Sequence, residues 1–171
     1  MHAQAPNDLA PVHLLVVGAG AIGRTHIDRI LRTPGLALAG IADPSDAGRA
    51  LAESLGAPWA ADHRSALERF QPQGAIVATP NATHVPVAMD CLAQGVAALV
   101  EKPVADTVAE AQALVDAQAR SGVPVLVGHH RRHNPINRRA REIVASGRLG
   151  RLVSANVMAT FFKPEAYFEA A

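Results

Sequence analysis

From Val12 to about residue 128, short apolar runs alternate with longer stretches of helical spacing. The runs of strand length are Val12–Val17, Leu36–Ala42, Gly74–Ala78, Val96–Val100 and Pro124–Val127, and a minor strand near Trp59 completes six. Between them, apolar residues recur at three- to four-residue intervals over Ala21–Leu31, Ser45–Leu55, Asp62–Phe70, Thr83–Ala93 and Thr107–Arg120, which predicts five helices. The strand-length runs are continuously apolar, as suits parallel strands covered on both faces. Strict alternation of such runs with helices predicts an α/β fold on a doubly wound parallel sheet. Local punctuation agrees. Pro34-Gly35, Gly56, Gln94-Gly95 and Ser121-Gly122 fall where helices should stop. Thr107 with Glu110 three residues on forms a capping box, opening a helix with Leu114 and Val115 on its buried side.

Beyond residue 128 the pattern changes. Asn134–Ser146 reads as a helix closed by Gly147. Leu152 to Phe162 then alternates, with Val153, Ala155, Val157, Ala159 and Phe161 on one face, as in an antiparallel strand with one packed side. A lone strand of that kind is an unprotected edge, so the expectation is that 129–171 is the incomplete start of an α+β second domain. Charge shifts at the same place. Residues 1–128 hold 8 Lys/Arg against 12 Asp/Glu, whereas 129–171 hold 8 against 3. The predicted organisation is a flexible tail over 1–11, an α/β domain over 12–128 and the second domain from 129.

At 49% hydrophobic and 18% charged, the chain is expected to build a core. No apolar run approaches the roughly 20 residues of a membrane span. Met1–Pro11 lacks the basic and apolar regions of a secretory signal. Cys91 is the only cysteine, which excludes an internal disulfide and fits a reducing compartment, so a cytoplasmic location is expected.

The chemistry concentrates at the predicted strand ends. Gly18-Ala19-Gly20-Ala21-Ile22-Gly23 follows the first strand and opens the first helix, and Asp43 stands twenty residues beyond Gly23. A dinucleotide needs this arrangement. Gly18 permits the tight turn, Gly20 lets the backbone approach a pyrophosphate, and Gly23 lets the helix pack close to the strand. The first-turn amides of Ala21, Ile22 and Gly23 then face the phosphates. Asp43 can accept from a ribose diol and favours NAD over NADP, because a carboxylate repels a 2′-phosphate. Arg49, one helical turn on, leaves dual use open. Two further strand ends carry Thr79-Pro80-Asn81 and Glu101-Lys102-Pro103. In a doubly wound sheet, ligands sit at such carboxyl ends near the switch in strand order. Thr79 and Asn81 offer polar groups to the nicotinamide half, and Lys102 an ammonium near the reactive carbon.

These motifs occur together in one order and spacing: the glycine string with His26, Ile41-Ala42-Asp43-Pro44, Ala78-Thr79-Pro80-Asn81 with His84, Glu101-Lys102-Pro103, the stretch Gly128–Pro135, and Gly147-Arg148-Leu149-Gly150. From about residue 12 onward the chain resembles the glucose-fructose oxidoreductase / inositol dehydrogenase / rhizopine catabolism (Gfo/Idh/MocA) family. At the crossover, His133 and Asn134 depart from the family's commoner Arg-Phe-Asp-Pro form. The resemblance implies a Rossmann domain and an NAD(P)-dependent oxidoreductase acting on a sugar- or polyol-like substrate. It also implies that Thr79, Pro80, Asn81 and Glu101 line the nicotinamide ribose, and that Lys102 meets the substrate, orienting or polarising its oxygen. His84 is counted with the cofactor residues, with packing as its alternative, as for His26. The family's acid/base carboxylate and histidine come from a Gly-Gly-rich stretch of the second domain, which this sequence lacks. A homo-oligomer is expected of a full-length form.

Rival readings are weaker on the residues. His129, His130 and His133 lack a supporting carboxylate or cysteine set and are flanked by arginines, so no metal site is expected. The arginines from 131 to 151 come without a nucleic-acid reader motif or stacking platform, so no nucleic-acid partner is expected. Arg132 stays open as a substrate or cofactor contact. The strongest alternative to the enzyme is a non-enzymatic dinucleotide-binding chain, a sensor or regulator without turnover.

Overall fold

The computed structural model describes residues 10–158, 160–162, 164 and 165. Two compact units divide between His129 and His130. In the first, the elements follow the predicted alternation within one or two residues. They are β1 (Val12–Val17), α1 (Ala21–Arg32), β2 (Leu36–Ala42), α2 (Asp46–Ser54), β3 (Trp59–Ala60), α3 (His63–Phe70), β4 (Gly74–Val77), α4 (His84–Ala93), β5 (Ala97–Val100), α5 (Val108–Ser121) and β6 (Val125–Val127). All strand pairs are parallel, in the order β3-β2-β1-β4-β5-β6. Strand order reverses beside β1, between β2 and β4, which is where a doubly wound sheet opens a crevice.

Side chains on successive strand positions point to opposite faces, and the core divides accordingly. Leu15, Val17, Ala75, Val77, Ala98 and Val100 pack with Leu67 of α3, Val85, Ala88, Cys91 and Leu92 of α4, and Leu114 of α5. Val16, Ile41 and Ile76 pack with Ile27 and Ile30 of α1 and Ala52 of α2 on the other face. Each fully buried aliphatic side chain contributes on the order of 1.5–3 kcal/mol, so the stiffest part of the unit is the β1–β4 centre.

The predicted cover on both faces is only partly realised. Leu126 pairs in register with Leu99, on the α1/α2 face, yet is 63% exposed. Both helices of that face pack over β1 and β2, so the β5–β6 end of the face is open. Helix α5 also buries less than its sequence suggests. Leu114 is buried, but Val115 is exposed, because one residue turns the helix by about 100° and carries it off the packed stripe. The capping box forms: Thr107 Oγ accepts from the Glu110 amide, and Glu110 accepts from the Thr107 amide.

In the second unit, α6 (Pro135–Ala145) begins at Asn134, whose side chain accepts from the Ile136 amide at 2.8 Å. The strand expected over 152–162 does not form in the described residues there. A strand needs a neighbour to satisfy its backbone groups. None of the described residues pairs with this segment, and Val153, Val157 and Phe162 are exposed. Of the tail expected over 1–11, residues 1–9 lie outside the described residues, as do Ala159, Lys163 and 166–171. No helix among the described residues is long and apolar enough to cross a membrane.

Candidate functional site

The carboxyl ends of β1, β2, β4 and β5 are laced together up to the residues that carry chemistry. The Gly18 amide donates to Ala42 O at 2.8 Å, Ala78 to Val17 O at 2.8 Å, and Glu101 to Val77 O at 2.9 Å. The sheet thus delivers the glycine turn, Asp43, Thr79 and Glu101 to one edge.

Within the turn the three glycines have different duties. Gly18 sits at φ +92°, and a Cβ there would lie 2.6 Å from Ala78 O. At Gly23 a Cβ would lie 1.8 Å from Gly18 O, so this residue sets the approach of α1 to the turn. Gly20 differs, since a Cβ there would meet nothing within 4 Å. Gly20 therefore faces open space, with none of the protein's own packing against it. No side chain caps α1 at Gly20, and the first amides of a helix have no partner inside it. The amides of Ala21, Ile22 and Gly23 are therefore available to an anion, as a pyrophosphate cradle requires.

Asp43 is tied to this turn. Its Oδ2 accepts from the Ala19 amide at 2.6 Å, and Oδ1 accepts from the Ser45 amide at 2.8 Å and from the Ser45 hydroxyl. Gly48 of α2 allows that position, because a Cβ there would come within 2.5 Å of the carboxylate. Trp59 Nε1 donates to Asp43 O from behind, at 3.0 Å. Burial pushes the Asp43 carboxyl up. The Ser45 hydroxyl, the Ala19 and Ser45 amides and the nearby Arg24 charge outweigh it, holding the group below the ordinary carboxylate value. Oδ1 already accepts two hydrogen bonds, whereas Oδ2 accepts one and keeps lone-pair capacity for a ribose hydroxyl. Arg49 does not turn to this carboxylate. It pairs with Glu53 at 2.9 Å and lies over the Trp59 ring, 5.5 Å from its centroid. The cation beside Asp43 is Arg24, which donates to Ala19 O at 3.1 Å and to Ala47 O at 3.5 Å. Its place just after Gly23 was the signal for it in the sequence.

At the other strand ends, Thr79 Oγ1 receives the Thr83 hydroxyl at 2.8 Å, and Pro80 and Asn81 stand exposed. Glu101 and Lys102 follow β5 directly, Lys102 exposed, and the Lys102–Pro103 peptide is cis. Glu101 Oε1 meets His26 Nε2 at 2.9 Å, and Oε2 accepts from the Lys102 amide at 3.2 Å. Gly128 at the end of β6 packs on that carboxylate, where a Cβ would lie 2.8 Å from Oε1. His84 is 1% exposed, with Nδ1 2.7 Å from Pro103 O and Nε2 2.9 Å from Thr79 O. Both ring nitrogens thus face protein carbonyls, which gives His84 a connecting place between two turns and leaves no ring nitrogen open to a ligand. The His26–Glu101 contact was invisible to sequence reading, since the partners lie 75 positions apart.

A parallel sheet in this order, with an open glycine cradle at the switch point and a carboxylate beside it, defines a dinucleotide-binding Rossmann domain. The comparisons with known proteins carry that further. Residues 12–129 match the Gfo/Idh/MocA oxidoreductase family, described by its NAD-binding Rossmann fold, and the chain belongs to this family. It is 34% identical over 139 residues to an inositol 2-dehydrogenase of Rubrobacter xylanophilus, covering 79% of this chain and 40% of the relative. It is 31% identical to the rhizopine catabolism protein MocA of Rhizobium meliloti, covering 80% and 43%. Among solved structures, GenD2 from gentamicin A biosynthesis, in complex with NAD, matches with a TM-score of 0.78 at 29% identity, over 86% of this chain and 43% of that one. The WlbA dehydrogenase of Bordetella pertussis, in complex with NADH and UDP-GlcNAcA, shares the fold with a TM-score of 0.88 at 24% identity, over 95% and 47%. The chain spans less than half the length of these relatives. The family is described as an oxidoreductase family with an NAD-binding Rossmann fold, and GenD2 is seen in complex with NAD.

Proposed function

We propose that this chain forms the cofactor-binding half of an NAD-dependent dehydrogenase acting on a polyol- or sugar-like substrate. In this reading Gly18, Gly20 and Gly23, with the amides of Ala21 and Ile22, hold the pyrophosphate, and Asp43 receives the adenosine ribose. Thr79, Pro80, Asn81 and Glu101 flank the nicotinamide ribose, and Lys102 reaches the substrate. The observation that carries it is the empty space at Gly20 under the open amides of α1, with Asp43 anchored to the same turn. The inositol dehydrogenases among the relatives support the substrate class.

NAD supplies a ring carbon that accepts a hydride. The chain's own residues bind, orient and polarise. The Lys102 ammonium would donate to the substrate oxygen and stabilise the negative charge that builds on it as the hydroxyl proton passes to a base and the carbon gives up hydride. In this reading Lys102 acts as a hydrogen-bond donor to the substrate oxygen and not as the base. The carboxylate of Asp43 disfavours a 2′-phosphate, so NAD is preferred over NADP.

Fluorescence titration with NADH and NADPH, on wild type and Asp43→Ala, tests the reading. The wild type binds NADH and discriminates against NADPH. Removing a charge-assisted ribose contact weakens NADH by roughly ten- to a hundredfold and narrows the gap between the two. A wild type that neither quenches NADH nor gains thermal stability with NAD overturns it.

A further inference from the structure

Two buried or half-buried histidines converge on one turn from opposite sides. His26 projects from α1, one turn beyond the glycine cradle, and its Nε2 meets Glu101 Oε1 at 2.9 Å, with the side chains 22% and 14% exposed. His84 opens α4, is 1% exposed, and brings Nδ1 to 2.7 Å from Pro103 O. Lys102 lies between these two anchored neighbours. The remaining nitrogen of His84, 2.9 Å from Thr79 O, ties the same turn to the end of β4. A carbonyl only accepts, so the ring nitrogen that carries the proton donates to the carbonyl it faces.

We propose that His26 and His84 are positioning residues that grip the Glu101–Lys102–Pro103 turn at its two ends and thereby fix where the Lys102 amine stands at the cofactor cleft. The proposal rests on the reading of the cleft given above. Glu101 reaches Lys102 a second way, accepting the Lys102 amide on Oε2 at 3.2 Å while Oε1 is held by His26. Gly128 lies against the carboxylate on the β6 side, where a Cβ would come within 2.8 Å of Oε1. Releasing His26 therefore frees the carboxylate to rotate and loosens Lys102. Releasing His84 removes the side chain that sits between the Thr79 and Pro103 carbonyls and loosens the tie between the β4 and β5 turns.

The chain has only two lysines, Lys102 and Lys163, so reductive methylation read by mass spectrometry gives a Lys102:Lys163 ratio on the free protein. The ratio rises in His26→Leu and in His84→Phe. It stays at the wild-type level in His26→Gln, whose amide nitrogen reproduces the Nε2 donor to Glu101. NADH binding weakens about tenfold in His26→Leu and recovers in His26→Gln. If His84→Phe does not fold, the His26 pair decides alone. A ratio that does not rise in His26→Leu, or rises equally in His26→Gln, overturns the proposal. The ratio needs no cofactor, so it judges the grip even if wild type fails to bind NADH, a failure that would instead sink the cofactor reading.

Discussion

At the scale of single residues, three look-alike glycines separate into two kinds. Gly23→Ala would place a methyl 1.8 Å from Gly18 O, and the strain should cost about 1–3 kcal/mol or more in urea unfolding. Gly20→Ala meets nothing within 4 Å, so stability should hold while NADH binding falls. Equal losses of stability in the two variants would contradict this division. Asp43 makes a pH prediction. Its folded carboxyl lies below the ordinary value of 3.8, so its stabilisation is fully present above that value and is lost as pH falls through the lower folded one. Urea midpoints compared between wild type and Asp43→Asn should therefore differ near neutrality and converge in strong acid. Cys91 is the opposite case. Burial, then the Asp90 charge, push its thiol up to about 12, so a thiol reagent should label it only as the unit unfolds. Its place among the buried apolar positions of α4 accounts for this. The partner of Glu101 was not legible in the sequence, because nothing local marks His26, 75 positions away, as its neighbour.

At the scale of elements, the boundaries of β1, β2 and α1 to α5 could be read closely because each carries its own period and its own stop. The α5 capping box shows how local such information is: Thr107 and Glu110 bond to each other's backbone amides and, side chain to side chain, to each other at the helix start. Thr107→Ala should cost about 1 kcal/mol, seen as a lower urea midpoint, with NADH affinity unchanged. Two element-level expectations did not hold. Val115 follows Leu114 in an apolar pair, but the stripe that α5 presents to α4 is narrow. The alternating segment from Leu152 has the right pattern for a strand, yet pattern supplies only one side of a ladder. A strand's hydrogen bonds belong to its neighbours, and no described residue provides them.

For the whole molecule, the core is densest where β1 and β4 lie between helices and thins toward β6. Leu15→Ala should cost about 2–5 kcal/mol, whereas Leu126→Ala should cost well under about 1, a contrast that parallel urea titrations would test. The same asymmetry places the cleft on the stiff side of the sheet, where the strand ends are cross-bonded. By itself the sequence determined the succession of strands and helices, the glycine turn with its answering carboxylate, and membership of the chemistry in predicted strand ends. Those follow from interactions within a few residues: periodicity, turn geometry, capping. Tertiary structure decided what faces what. It brought His26 to Glu101, His84 to both Thr79 and Pro103, and Gly128 against the Glu101 carboxylate. It also withdrew His84 from the ligand side and left one end of a sheet face open. The physical reason is that β1 pairs with both β2 and β4, so residues far apart in the chain become neighbours only when the strand order is set by packing across the whole sheet.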